Sequence, residues 1–152
     1  MFYRLLCRQV VEKDGTAIGS NISAGGSLIV YTGGIAHGVN QETGSALVAN
    51  TGAGTDIEGY NKLSHFTITG GEANYVVLEN TGELTVVAKT SAKNTTIDTG
   101  GKLIVQKEAK TDSTRLNNGG VLEVQDGGEA KHVEQQSGGA LIASTTSGTL
   151  IE

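Results

Sequence analysis

The chain has 152 residues, of which 23 are glycine, 4% are aromatic and none is proline or tryptophan. So few large aromatic side chains cannot fill the thick core of an ordinary globule of this size, and the glycines lack the three-residue period of collagen. The formal net charge of −5 argues against nucleic acid as a partner, because phosphates require a basic surface. No apolar run approaches the roughly 18 residues of a membrane-spanning helix, so we predict no membrane span.

The start of the chain differs from everything that follows. Shifting the repeat described below back by one period places Leu6 and Cys7 where a glycine pair is expected. The apolar run there is short and interrupted by arginines, which makes a poor signal peptide. We therefore predict a non-repeat leader over residues 1–8 and a single repeat segment over residues 9–152.

Beyond the leader, an apolar residue and its neighbours return every nineteen residues. Gly100-Gly101-Lys102-Leu103-Ile104-Val105, for example, is followed by Gly119-Gly120-Val121-Leu122-Glu123-Val124. The leading apolar residues are separated by steps of nineteen, with one step of eighteen: Leu28, Leu47, Phe66, Leu84, Leu103, Leu122 and Leu141. A fixed period of this length is typical of a solenoid, in which each repeat is one coil stacked on the next.

Within each coil the apolar period is two. The second residue after each leading position is also apolar: Val30, Ala49, Ile68, Val86, Val105, Val124 and Ala143. A spacing of two places both side chains on one face of a β-strand, and the recurrence expected of a helix is absent. Two positions before the leading residue only Gly or Ser occurs, which indicates a tight corner. We predict an all-β fold, a single parallel β-helix of about eight coils.

A second, longer sequence repeat spans several coils. Residues 25–58 match residues 119–152 at an offset of 94. In that register the chain ends inside a repeat, so we expect it to be a segment of a longer solenoid.

The candidate catalytic and metal-binding residues are scattered along this solenoid. The five aspartates, Asp14, Asp56, Asp98, Asp112 and Asp126, fall in different columns and do not form a carboxylate ladder. His37 and His132 occupy nearby positions of coils about 24 Å apart at ~4.8 Å per coil, too far to share a metal ion. No Gly-x-Ser-x-Gly or phosphate-loop pattern occurs. We predict no enzymatic activity, no cofactor and no metal site.

One surface feature predicts an interaction. The column after the leading residue should point outward and is rich in β-branched side chains: Ile29, Val48, Thr67, Thr85, Ile104, Glu123 and Ile142. An exposed stripe of this kind on a flat sheet favours lateral association between like molecules. Ordinary β-strand preference explains the same residues without any such role.

The alternation of Gly-Gly-x-Leu-x-Val with Gly-Gly-x-Ala, as in Gly119 to Val124 and Gly127 to Ala130, resembles the passenger repeats of AIDA-type and antigen 43-like autotransporter adhesins. That resemblance covers roughly residues 9–152. It implies a right-handed parallel β-helix displayed on the bacterial outer membrane, where it mediates cell adhesion, autoaggregation and biofilm formation. It also implies sugars on passenger Ser and Thr, for which Thr95, Thr96, Ser144, Thr145 and Thr146 are candidates.

The sequence therefore favours a structural and adhesive segment of an autotransporter-like surface protein. Its partners would be like molecules or a host-surface protein or glycan. Two alternatives stay open: a glycan- or protein-binding β-helix module, and a truncated remnant with no independent function. Since the chain has no recognisable signal peptide, a cytoplasmic location is the alternative to the cell surface.

Overall fold

The structure, a computed structural model, describes residues 8–144 and 148–152. The predicted leader, apart from Arg8, and the candidate sugar acceptors Thr145 and Thr146 lie outside the described residues. The described residues form strands and turns: β1 (Arg8–Val11), β2 (Thr16–Ile18), β3 (Asn21–Ile22), β4 (Ser27–Val30), β5 (Ile35–Gln41), β6 (Ala46–Asn50), β7 (Asp56–Tyr60), β8 (His65–Thr69), β9 (Glu72–Asn74), β10 (Val77–Leu78), β11 (Glu83–Val86), β12 (Ser91–Lys93), β13 (Thr96–Ile97), β14 (Lys102–Val105), β15 (Lys110–Asp112), β16 (Arg115–Leu116), β17 (Val121–Val124), β18 (Glu129–Lys131), β19 (Glu134–Gln135), β20 (Ala140–Ala143) and β21 (Leu150–Ile151).

The strands form three sheets that wind around a common core. The first sheet has seven strands in the order β1-β4-β6-β11-β14-β17-β20, all parallel. The second sheet has ten strands, with β2-β5-β7-β8-β9-β12-β15-β18-β21 as its path and β3 beside β5. The third sheet has four, β10-β13-β16-β19. The predicted parallel β-solenoid with about nineteen residues per turn is thus confirmed.

The core is a stack of the predicted apolar columns. Leu84 pairs with Leu103, which pairs with Leu122. All three are fully buried, as are Leu28 and Leu47. Equivalent side chains therefore lie directly above one another and bury a continuous apolar core that no coil could form by itself.

Close packing at the corners explains the small residues before each leading position. A Cβ atom added to Gly101 would lie 2.1 Å from the carbonyl oxygen of Leu78 in the preceding turn. Gly101 has an ordinary φ, whereas its neighbour Gly100 has a φ of +82°. The first glycine of each pair thus supplies the left-handed backbone and the second supplies space.

The seven strands of the first sheet give seven turns, one fewer than the predicted eight. The segment counted as the coil of Phe66 leaves the repeat, because β6 pairs directly with β11 and Leu84 lies beside Ala49. Phe66 and Ile68 are fully buried, but they lie on β8 in the second sheet. There β7, β8 and β9 pair antiparallel as a meander over residues 56–74.

The longer repeat appears as two matching irregularities. Ala36 pairs with Ile57, and Ala130 pairs with Ile151, so both steps span 21 residues instead of nineteen (57 − 36 and 151 − 130). At the adjoining corner the amide of Gly33 donates to Thr55 Oγ1 at 3.0 Å, and the amide of Gly127 donates to Thr149 Oγ1 at 2.8 Å. The offset of 94 therefore reports a real structural repeat.

Candidate interaction surface

The outer face of the first sheet carries most of the predicted stripe. Six of its seven residues lie on this sheet: Ile29, Val48, Thr85, Ile104, Glu123 and Ile142. Each points away from the core, because buried residues flank it on β4, β6, β11, β14 and β17, and on β20 Leu141 next to Ile142 packs against the core. Thr67 does not belong to the stripe, since it lies on β8 in the second sheet.

A register shift divides the stripe into two blocks. In the first block Val10 pairs with Ile29, and Ile29 pairs with Val48. Val48 then pairs with Glu83 instead of Thr85, because β6 and β11 are displaced by two residues from the sequence register. The second block runs through Thr85, Ile104, Glu123 and Ile142 in direct register.

The two blocks differ in polarity. The first is apolar throughout and gains Val10, which is 42% exposed and which the sequence analysis did not include. In the second block Glu123 lies between Ile104 and Ile142. It forms an ion pair with Lys102, whose Nζ lies 3.6 Å from Glu123 Oε1. Ile142 is 52% exposed. The surface therefore has one apolar patch, formed by the first block, and a second block in which Glu123 separates Ile104 from Ile142.

The three histidines lie at the surface and each contacts a carboxylate. His37 Nε2 lies 3.0 Å from Asp56 Oδ2, His65 Nε2 lies 2.8 Å from Glu58 Oε2, and His132 Nδ1 lies 2.8 Å from Asp112 Oδ1. Within residues 8–144 and 148–152, no group of three His, Cys, Asp or Glu side chains could hold a metal ion.

The pKa values of the carboxylates in two of these pairs are displaced. The hydrogen bond from His65, followed by that from the Gly38 amide, holds the pKa of Glu58 below its usual 4.5. The hydrogen bonds from His132 and Ser113 likewise lower the pKa of Asp112 below 3.8. The contact between Asp112 and His132 ties one turn to the next, whereas the contact between Glu58 and His65 joins the antiparallel strands β7 and β8 of the meander.

Candidate sugar acceptors are unequally accessible. Thr95 is only 1% exposed and faces the core, so it is not available to an enzyme in the folded chain. Thr96 is half-buried on β13 in the third sheet, and Ser144 is half-buried after β20. No helix that could span a membrane occurs in the described part of the chain.

The strand ladders and the nineteen-residue turns define a repeat solenoid. Residues 58–120 match the AIDA family, described as an adhesin of the bacterial autotransporter system and a probable stalk. The match covers 63 of the 152 residues and supports the interpretation of the chain as AIDA-type autotransporter adhesin repeats. The resemblance to AIDA-type repeats, which the glycine-rich corners indicated, is confirmed.

A structural comparison finds a fragment of TibA that was hyper-glycosylated by TibC. The two chains are 25% identical, with a TM-score of 0.37 over 95% of this chain and 66% of that one. The chain thus spans slightly less than two thirds of the length of the fragment it matches. The fold follows from the strand ladders alone. The right-handed winding expected from the family stays a prediction.

Proposed function

We propose that this chain is a structural and adhesive segment of an autotransporter passenger, and that the outer face of its first sheet brings like chains together. The family is one of stalk-forming adhesins, which supports a structural role over an enzymatic one. As part of a full-length autotransporter, the segment acts at the bacterial cell surface.

The observation that carries the proposal is the composition of the outward-facing rows. Val10, Ile29 and Val48 follow one another in register with no charged residue among them. Ile104 and Ile142 extend the apolar character further along the same sheet. A flat face of β-branched side chains loses contact with water when it packs against an identical face, which favours association.

The test uses two isoleucines, one from each block. Ile29→Lys combined with Ile104→Lys places two positive charges on the proposed contact face. We expect the wild-type chain to form concentration-dependent oligomers in sedimentation velocity and light scattering, and the double variant to sediment as a monomer. Circular dichroism and thermal melting check that the variant still folds.

The matched control changes the same residue type on a different face. Ile18 and Ile35 lie on β2 and β5 in the second sheet, and Ile18 is 74% exposed. Ile18→Lys combined with Ile35→Lys changes net charge and apolar content equally but leaves the first sheet intact. Equal loss of association in both double variants, or none in either, would refute a role for the first sheet.

A further inference from the structure

A groove beside the meander interrupts the otherwise regular surface. Its volume is about 540 Å³, and Leu63 and Ser64 at the tip between β7 and β8 contribute to its lining. The rest of the lining includes the corner residue that follows each of four second-sheet strands: Tyr75, Asn94, Ser113 and His132. Arg115 and Glu134 on the outer side of the third sheet also line it.

The tip of the meander is fixed against the solenoid. The amide of the Asn61 side chain donates to the carbonyl oxygen of Tyr75 at 2.7 Å. Lys62 Nζ lies 3.3 Å from Glu79 Oε2 and 2.5 Å from Asp98 Oδ2, two carboxylates on successive turns. The groove is therefore preformed, which reduces the entropy lost when a ligand binds.

Tyr75 occupies a backbone conformation that glycine would adopt more easily. Its φ is +58°, and at the corresponding corner after β2 stands Gly19, with a φ of +70°. A residue with a side chain is strained at such a φ, whereas glycine is not. Tyr75 is 49% exposed, so its ring offsets little of that strain by burial. The equivalent corners share this backbone conformation, with φ of +55° at Asn94, +59° at Ser113 and +54° at His132, so what distinguishes this corner is its exposed aromatic ring.

The backbone around the groove has no free edge for an added peptide strand. The amides of Tyr75, Asn94 and Ser113 donate to carbonyl oxygens of the next turn at 3.0 to 3.1 Å. Those of Arg115 and Glu134 donate to the preceding turn at 2.9 and 2.8 Å. A ligand here must be recognised by side chains, which argues against an extended peptide that needs backbone partners.

The charges that line the groove are already compensated. Arg115 Nη2 lies 3.3 Å from Glu134 Oε2, and His132 Nδ1 lies 2.8 Å from Asp112 Oδ1. What stays available is one aromatic face, a tip leucine, the side-chain amide of Asn94 and the hydroxyl oxygen of Ser113 as an acceptor, since the Ser113 proton is donated to Asp112. Successive turns lie ~4.8 Å apart, so Tyr75 and His132 are separated by about 14 Å along the stack.

From these contacts we propose that the groove binds a short, neutral oligosaccharide, with the apolar face of one sugar stacked on Tyr75. The hydroxyls of the following sugars form hydrogen bonds with the polar side chains spaced along the stack. Sugars present both an apolar face and many hydroxyls, and this combination matches an aromatic platform beside uncharged donors and acceptors. The groove lies away from the first sheet, so the proposal does not depend on self-association.

The experiment is a screen of the purified chain on an array of neutral oligosaccharides, followed by titration of the strongest ligand with NMR detection. We expect Tyr75→Gly to weaken binding at least tenfold. Glycine suits the φ of +58°, so this variant should melt no lower than the wild type. Tyr31→Ala is the matched control, because Tyr31 is equally exposed and follows β4 in the first sheet.

Three outcomes would overturn the proposal: no binding to any neutral oligosaccharide, unchanged binding by the Tyr75→Gly variant, or equal weakening by Tyr31→Ala. Sedimentation of the same samples separates this result from self-association. Loss of sugar binding in a Tyr75→Gly variant that still associates would locate recognition in the groove alone.

Discussion

At one core position of the coil, valine occurs in some turns and threonine in others, so a methyl group is replaced by a hydroxyl. Val76, Thr95, Thr114 and Val133 follow one another at intervals of nineteen residues. The hydroxyl of Thr114 bonds that of Thr111 at 2.9 Å, and both are buried. One turn earlier Ala92 stands in the place of Thr111. Thr95 Oγ1 is consequently buried without a hydrogen-bond partner among the described residues.

Thr95→Val should stabilise the chain. The substitution removes an unsatisfied hydroxyl and keeps the shape of the side chain, as Val76 does one turn away. We expect the free energy of unfolding to rise by about 1 kcal/mol in urea denaturation. Thr114→Val is the control and should lower the free energy of unfolding, because Thr111 would lose its partner. A fall in both variants would show that Thr95 is satisfied by a bound water.

Gly101→Ala should destabilise the chain through crowding. The added Cβ atom would lie 2.1 Å from the Leu78 oxygen, so adjacent turns must separate. We expect a loss of about 1–3 kcal/mol in the free energy of unfolding, the usual result of overpacking. Gly70→Ala serves for comparison, since only its φ of +59° opposes a side chain and nothing lies within 4 Å. A smaller loss at Gly101 than at Gly70 would contradict the close-packed corner.

At the scale of the strand, the sequence predicted the parallel ladders well and the meander not at all. The period of two identifies which residues of Phe66-Thr67-Ile68 face the core, and it does so correctly. It carries no information on whether neighbouring strands run parallel or antiparallel. The turn-forming Asn61 and the irregular step of eighteen residues were the available signals.

The third sheet was also missed, because its strands are only two residues long. A column of buried apolar residues, Leu78, Ile97 and Leu116, was nevertheless present at the same period. On the interaction surface, six of seven stripe residues were placed on the correct sheet. The register shift at β6 and β11 could not be read from spacing alone, since a displacement of two preserves which face is buried.

Lys62→Met should loosen the meander without unfolding the solenoid. The side chain keeps its length but no longer bridges Glu79 and Asp98. We expect faster hydrogen exchange at the amides of Asn61 to Ser64 and little change in the first sheet. Lys93→Met is the control, because Lys93 makes a longer, more exposed contact with Glu72 at 3.7 Å. Uniformly faster exchange over the whole chain would contradict a local clamp.

For the whole molecule, acid should weaken the stack. Burial alone would raise the pKa of Asp98, but hydrogen bonds from Lys62 and Asn117 outweigh it and hold the pKa below 3.8. The pKa of Glu58 lies below 4.5, chiefly through His65. Both carboxylates are more acidic in the folded than in the unfolded chain. Their stabilisation is therefore present above these unfolded values and is lost as the pH falls through the folded ones.

We expect the melting temperature to fall between about pH 5 and pH 3, as the unfolded chain takes up protons that the folded chain resists. Differential scanning calorimetry at closely spaced pH values measures this. Asp98→Asn combined with Glu58→Gln should melt lower at pH 5 and show a shallower decline. An equally steep decline in that variant would assign the acid sensitivity to other groups.

The meander makes the second sheet longer than the first along the stacking direction. Along the second sheet nine strands accompany the seven of the first, and the two additional ones fall within a single turn. At ~4.8 Å per strand the side with the meander is longer by nearly 10 Å. We expect this difference in length to bend the stack at the meander, so that a short insertion near the middle of the chain would set the direction of the later turns.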